Sequence, residues 1–446
     1  MNLVVIGHID HGKSTLMGHV LVAAGAVTDR EARELEKLAQ ELDRESWKYA
    51  FFFDALAEER KRGITIDLTF RKFPTKKYEY TIIDAPGHAD FVKNMITGAS
   101  QADAAILVVS GKKGEFESGI SDIGQTREHA FLAKTLGVKQ IVVAMNKADD
   151  QSWNYDEDRY EEVKAETTKL LKIVGYKTAD IHFVPVSALE GDNLVERSTN
   201  MDWYKGPTLF EVLDLFALPE KPTSKALRLP VQDVYKIKGA GVVPVGRVET
   251  GTMKVGDSVM VNPTDFVGEV RSIEMHHESQ TDAIPGDNIG FNVRGATIKD
   301  FHRGDVVTHA GKPCNVVIPG QTISAQIIVI YHPTAIAIGY TPVVHSHTLQ
   351  IAFKFVELSK KLDPKNGQVM EENPQFLKKN DVAIVKLSPI KKACIEKYKD
   401  FPELGRLAVR DMARTVCVGV ILDIDKPPKP AKASKAKAEK ATKAKP

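Results

Sequence analysis

Short apolar runs alternate with helical stretches through the first half of the chain. The segments "LVVIG", "YTIID", "AAILVVS", "QIVVAMN" and "HFVPVS" predict strands, and "STLMGHVLVAAG" and "QTREHAFLAKTLG" predict helices between them. Strands that are apolar almost throughout, separated by helices, imply a mostly parallel sheet with helices on both faces. Residues 29–62 read as two charged amphipathic helices inserted early. The Pro- and Lys-rich stretch "PEKPTSKALRLP", residues 219–230, predicts a linker. After it the pattern changes to short alternating runs, "VVPVGRVETG", "SVMVN" and "GEVRSIEMH", punctuated by Gly-Asp and Pro-Gly turns. That spacing predicts antiparallel sheet, as a barrel or a sandwich. A second boundary falls at "HAGKPCNVVIPG", residues 309–320, and a second β-rich block runs to about residue 425. The expected division is 1–220, 225–311 and 320–425, followed by a Lys/Ala/Pro-rich tail, 426–446, that has nothing to bury and is expected to be disordered.

Composition narrows the class. A chain of 446 residues, 43% hydrophobic and 27% charged, suits a soluble protein with more than one core. Its longest apolar runs are strand-sized, so no membrane span is expected. Met1 leads directly into "NLVVIG" without a basic flank or cleavage site, so no signal peptide is expected. Three cysteines, Cys314, Cys394 and Cys417, suggest free buried thiols and a reducing, cytoplasmic setting. The net charge of +2 conceals a tail with eight lysines and one Glu, or +7, so the rest of the chain carries −5. The body is therefore not a general nucleic-acid binder, and any nucleic acid must be met by local patches. The tail reads as a solvated segment, with a sequence-independent RNA contact as the alternative.

The chemistry begins at "GHIDHGKS", Gly7 to Ser14, which fits G-x-x-x-x-G-K-[ST] between a strand and a helix. The loop Gly7, His8, Ile9, Asp10, His11 and Gly12 would wrap phosphates with backbone N–H groups. Lys13 would add charge at the β- and γ-phosphates, and Ser14, followed by Thr15, would offer a hydroxyl to Mg²⁺. "NKAD", Asn146, Lys147, Ala148 and Asp149, names the base. Asp149 is placed to accept from N1–H and the 2-amino group of guanine, which adenine lacks. "SAL", Ser187, Ala188 and Leu189, would bring an N–H to the guanine oxygen. In "IDAPGHADFVKNMI", Asp84 ends a strand, where a water-mediated Mg²⁺ contact is expected; Ala85, Pro86 and Gly87 follow, with Gly87 N–H toward the γ-phosphate. "RGITID" supplies Thr65 as a second Mg²⁺ hydroxyl. His88 directly follows the γ-phosphate sensor, where an attacking water must be oriented. GTP or GDP with Mg²⁺ is the expected cofactor set.

These motifs, with "DAPGHADFVKNMITGASQADAAILVVS", "GQTREH", "LPVQDVYKIKGAG", "GDNIGFNVRG" and "HPTAIAIGYTPVVHSHT", make the chain resemble the translational GTPases over residues 2–425. The similarity is to the elongation factor 1-alpha branch of archaea and eukaryotes, whose bacterial counterpart is elongation factor Tu. The resemblance implies an α/β P-loop GTPase domain followed by two antiparallel β-barrels. It implies a monomer that carries aminoacyl-tRNA to the ribosomal A site, hydrolyses GTP on codon match and is recharged by a nucleotide exchange factor. By the same resemblance His88 is catalytic, Ile9 and Ile64 form an apolar gate around it, and Asp10 lies near a monovalent cation at the phosphates. Lys93, Asn94 and Arg303 would meet the tRNA 5′ end. Gln232, Asp233, Tyr235 and Asn288 would line the pocket for the esterified amino acid, and Glu274 would contact the terminal adenosine.

Several positions depart from the family's pattern: Ala89 where this branch usually has Arg, Phe70 and Gln232 in place of a bacterial His and Glu, His277 for an Arg, and Ala148 for a Met. His345 and His347 share one face if the strand runs through both, which raises a metal pair; ordinary polar barrel residues are the simpler reading, since nothing nearby completes a set. Three rival functions share these motifs: a ribosome-rescue, termination or selenocysteine factor; a sulfate-adenylylating relative; and a structural protein that keeps only the fold.

Overall fold

The computed structural model describes residues 1–41, 49–52, 69–86, 88, 91–121, 124–239, 241–275, 278–364, 366–412 and 414–427. The expectations placed on Ile64, Thr65, Gly87, Ala89, His277 and residues 428–446 lie outside them, as does the side chain of Lys93.

The first domain is a six-stranded sheet. Its strands are β1 (Asn2–Gly7), β2 (Thr69–Pro74), β3 (Glu79–Asp84), β4 (Ala104–Ser110), β5 (Gln140–Asn146) and β6 (His182–Pro185), in the order β2-β3-β1-β4-β5-β6. Only β2 runs antiparallel. Side chains alternate across each strand. Leu3, Val5, Ile82 and Ile106 pack on α1 (Lys13–Ala23) and α7 (Leu209–Leu215); Val4, Ile6, Ile83 and Leu107 pack on α3 (Val92–Ser100), α5 (Gln125–Leu136) and α6 (Glu157–Val174). That double cover explains why these strands read as unbroken apolar runs. Two further helices are α2 (Asp29–Glu41), the first of the two expected in the early insert, and the short α4 (Glu115–Ile120). No helix among the described residues is long and apolar enough to cross a membrane.

Two closed barrels follow. The first comprises β7 (Leu229–Ile237), β8 (Gly241–Arg247), β9 (Ser258–Asn262), β10 (Phe266–Met275), β11 (Asn288–Val293) and β12 (Val306–His309). Its order is β9-β12-β7-β8-β11-β10, and β10 pairs back to β9. The second comprises β13 (Ile323–Val329), β14 (Val343–Ser346), β15 (Leu349–Leu362), β16 (Val382–Pro389), β17 (Arg406–Asp411) and β18 (Arg414–Ile424). Its order is β14-β17-β18-β13-β16-β15, and β15 pairs back to β14. Each barrel has its own core, centred on Phe291 and Phe301 in the first and Phe353 and Phe355 in the second.

Buried charge joins the three domains. Asp103 of the first domain meets Arg247 of the first barrel at 2.5 Å, Arg247 lies 3.8 Å from Glu249, and Glu249 accepts from His347 of the second barrel at 3.0 Å. Arg247 and His347 hold the Glu249 carboxyl below its ordinary range against its own burial. Elsewhere Glu128 on α5 takes Arg410 at 2.7 Å and the Thr415 hydroxyl from the second barrel. His347 does not share a strand face with His345. The strand ends at Ser346 and His347 sits in the following turn at φ 54, in keeping with the simpler reading of both as polar barrel residues.

Replacing Arg247 by Ala should take the cation from between Asp103 and Glu249, leaving Asp103 to Asn2 N–H and Glu249 to His347. Removing one partner of a buried pair costs about 3–5 kcal/mol. The midpoint of chemical denaturation checks this, and an unchanged midpoint would show that water reaches the cluster.

Candidate functional site

The described loops that carry the sequence motifs leave the carboxyl ends of β1, β3, β5 and β6, beside the point where β3 and β4 diverge from β1. That crevice is where open α/β sheets bind ligands. The glycines of the β1–α1 loop are required by close approach. A Cβ on Gly7 would lie 2.3 Å from Val108 O, and one on Gly12, at φ 82, would lie 2.4 Å from Asn146 Nδ2. Asp10 is exposed at φ 63.

Asn146 connects three loops. Its Nδ2 donates to His11 O at 2.9 Å, and its Oδ1 accepts from Ala188 N at 2.9 Å. Ala188 N–H is therefore engaged with Asn146, and a base oxygen would have to share that donor. Ser187 Oγ donates to Asp149 Oδ1 at 2.5 Å, so the carboxylate expected to read the base is aimed by the second base loop. Ala148 is buried and its N–H bonds Val186 O, which leaves its side chain no part in reading a base. Lys147, at φ 70, pairs with Glu115 at 2.7 Å. Leu189 is 39% exposed at the mouth of the loop.

Ser14 Oγ donates to Asp84 Oδ2 at 3.0 Å, and Asp84 is fully buried beside Ala85 and Pro86. A hydroxyl and a carboxylate that converge this way are the hard-oxygen pair that Mg²⁺ takes from a protein when phosphates supply the rest. Thr15 continues the same helical turn. Lys13 crosses the loop to donate to His8 O at 2.8 Å. Burial lowers its ammonium to about 8, against the pull of Asp84 and Asp10.

That value sets a pH dependence. A phosphate ligand would raise the Lys13 pKa, so affinity should be full below pH 8 and should fall, by up to about tenfold per pH unit, as pH rises above it. Calorimetry in buffers of different ionisation enthalpy should then show proton uptake on GTP binding near pH 9. The absence of uptake would mean that Lys13 is already charged without ligand.

Supports that the motifs did not name surround this loop. His129 Nδ1 accepts from Gly7 N at 3.2 Å. Burial and nearby positive charge hold His129 well below its ordinary range, so it stays a neutral acceptor. Both ring nitrogens of His11 face carbonyls, those of Val108 and Glu115, and burial lowers this ring to about 3. Gln125 at the start of α5 takes Ile9 N and meets His8 Nδ1, each at 3.4 Å. His19 Nδ1 contacts Ala188 O at 2.8 Å and stacks on Tyr49. "GQTREH" carried the only sequence signal for two of these residues, Gln125 and His129. His88 is half-buried on the turn before α3, with its ring 5.9 Å from that of Phe91.

The second group of predicted residues sits on the first barrel and α3. Gln232 is the bulged residue where the β7–β8 register shifts, between Val231 and Asp233; bulges of this kind re-aim side chains. Asp233 accepts from Val234 N, and Tyr235 is 51% exposed on the same strand. Asn288 opens β11, and Glu274 is exposed on β10, so all five lie on the contiguous run β7-β8-β11-β10. Arg303 donates to Thr97 Oγ1 of α3, one turn beyond Lys93 and the buried Asn94. The structure thus brings residues from two domains to one helix.

Residues 1–219 match the model of the elongation factor Tu GTP binding domain, 241–308 that of elongation factor Tu domain 2, and 322–422 that of the GTP-eEF1A C-terminal domain-like family. The chain is 59% identical over 430 residues to elongation factor 1-alpha of Hyperthermus butylicus, covering 96% of this chain and 97% of that one. It is 58% identical over 429 residues to the same factor of Aeropyrum pernix, with 96% and 97% covered. Among solved structures, the GTP-bound GTPase-like domain of Ski7 from S. cerevisiae matches 94% of this chain and 96% of its own at a TM-score of 0.78; at 20% identity it is evidence of shared fold. The archaeal elongation factor SelB from Methanococcus maripaludis, with a GTP analogue, matches at 0.66 and 22% identity over 95% of this chain and 79% of its own.

Proposed function

Because the chain belongs to the elongation factor 1-alpha family of translation elongation GTPases, we propose that its GTP form captures aminoacyl-tRNA for the ribosomal A site and that codon recognition triggers hydrolysis to GDP. GTP and GDP binding follows from the family. Similarity of 56–59% to elongation factor 1-alpha over 96% of the chain does not favour the rescue, termination, selenocysteine or sulfate-adenylylating alternatives.

The observation that carries the reading is the pair of hydrogen bonds made by the Asn146 amide, which holds the phosphate loop and the base loops as one frame. Within it, Gly7, His8, Ile9, Asp10, His11, Gly12 and Lys13 enclose the phosphates, and Asp149, Lys147, Ser187 and Ala188 take the base. Ser14 and Asp84 would hold Mg²⁺, with Thr65 as a second hydroxyl. That ion would neutralise charge between the β- and γ-phosphates. Lys93, Asn94 and Arg303 take the tRNA 5′ end, Gln232, Asp233, Tyr235 and Asn288 the amino acid, and Glu274 the terminal adenosine. The exchange factor and a monomeric state belong to the same proposal. The test is protection of the aminoacyl ester from hydrolysis: slowed by the GTP form, unaffected by the GDP form. Equal rates with both would overturn the reading.

Arg303→Ala should weaken charged-tRNA binding alike for every amino acid, since phosphate contacts carry no sequence information. It should flatten the log–log salt slope by about one unit or less. Because Arg303 also reaches Thr97, Thr97→Val is the control for the interdomain bond. A loss that depends on the esterified amino acid would move Arg303 into the amino-acid pocket.

A further inference from the structure

The three cysteines fall into two environments. Cys417 is sealed in the core of the second barrel. Cys314 and Cys394, 6% and 3% exposed, share a separate apolar cluster with Val306 and Leu404. The cluster lies in the seam where β12 of the first barrel, the connecting segment and the second barrel meet. In this seam Val316 pairs with Cys394 and Val317 with Ala393, and Ile395 N donates to Asn315 O at 3.1 Å. The ladder sets Cys314 and Cys394 on a diagonal across two neighbouring segments, on one face, since side chains two apart share a face. Both side chains are free thiols packed in that one cluster, against Val306 of the first barrel.

The frame around the pair is fixed. Buried Arg228 pairs with Glu396 at 2.7 Å and donates to Lys312 O and Pro313 O, each at 3.3 Å; Asn315 Nδ2 donates to Glu396. The residues on both sides of Cys314 are therefore tied to the strand that carries Cys394. Yet Lys312, Pro313 and Asn315 are exposed, so the connecting segment runs along the surface and Cys314 is the sulfur nearest solvent. Asp305 adds a carboxyl close enough to Cys394 to oppose its ionisation. Burial raises that carboxyl to about 6.

We propose that Cys314 and Cys394 form a reversible disulfide that fastens the inter-barrel connection to the second barrel, making this seam a redox-modified site. The oxidant is a small-molecule disulfide. The Cys314 thiolate attacks one of its sulfurs, forms a mixed disulfide and expels one thiolate. Cys394, losing its proton to the expelled thiolate, attacks the Cys314 sulfur, closes the protein disulfide and expels the second. Two electrons pass to the oxidant, and the two cysteine protons end on its two thiols.

The test uses the intact protein. It is incubated with oxidised glutathione, denatured, alkylated with a maleimide and digested for mass spectrometry. The expected product is a Cys314–Cys394 cross-linked peptide, lighter by two hydrogens than its reduced parts, with Cys417 alkylated. The oxidised protein should melt higher, and dithiothreitol should restore three alkylation sites. Cys314→Ser and Cys394→Ser should each abolish the cross-link, and Cys417→Ser should leave it. Three alkylated cysteines after oxidation, a stable glutathione adduct at Cys314 without closure, or a linkage through Cys417 would overturn the proposal.

Discussion

Asp149→Asn should lower GTP affinity by roughly four orders of magnitude and turn the preference toward xanthosine triphosphate. On the proposed reading the carboxylate would accept from two guanine donors, N1–H and the 2-amino group. An amide puts a donor where the 2-amino group points, and xanthine has an oxygen there to accept it. The substitution is nearly isosteric, and the amide oxygen keeps the bond from Ser187 Oγ that now aims the carboxylate at 2.5 Å. The fold and the loop should therefore survive, and the loss should be one of recognition. Competition binding against a fluorescent nucleotide measures both effects. Undiminished GTP affinity would remove Asp149 from the base pocket.

What the sequence announced and what it hid divide along chain distance. The strands β1, β3, β4, β5 and β6 were legible because both faces are covered, which writes an unbroken apolar run into a few residues. The edge strand β2 was not. "TFRKFP" pairs on one side only, and its exposed positions hold Arg, Lys and Pro. The linker expected through Pro230 ends earlier, because Leu229 and Pro230 already belong to β7. The nucleotide motifs were legible because their geometry is local: Gly12 and Lys13 need only a strand, a turn and a helix. Their supports are not local. Gly7 meets His129 across 122 residues, Lys147 meets Glu115 across 32, and Arg247 meets Asp103 across 144. No periodicity encodes such pairs. The shared face considered for His345 and His347 is absent for a related reason. Alternation was extended through Ser346 into a turn, and a single left-handed residue cancels it.

His88→Ala should leave GTP and charged-tRNA binding intact and lower ribosome-stimulated hydrolysis by roughly 10³-fold or more, the scale of losing a group that stabilises only the transition state. His88 follows the buried Asp84–Pro86 strand end, its carbonyl accepts from Phe91 N at 3.0 Å, and its ring lies beside that of Phe91. Its ring therefore rests beside a neighbour on the same turn. On the proposed mechanism the ring swings in when the ribosome engages, past the gate formed by Ile9 and Ile64, and orients a water in line with the γ-phosphate. Orientation needs a hydrogen-bonding edge and no proton transfer to the ring, so His88→Gln should recover part of the rate that His88→Ala loses. That partial recovery separates positioning from general-base catalysis, in which the amide would be as inert as alanine. Single-turnover hydrolysis on programmed ribosomes reads both variants. A near-normal rate in His88→Ala would leave His88 as a polar turn residue, held by its neighbours and without a part in the chemistry.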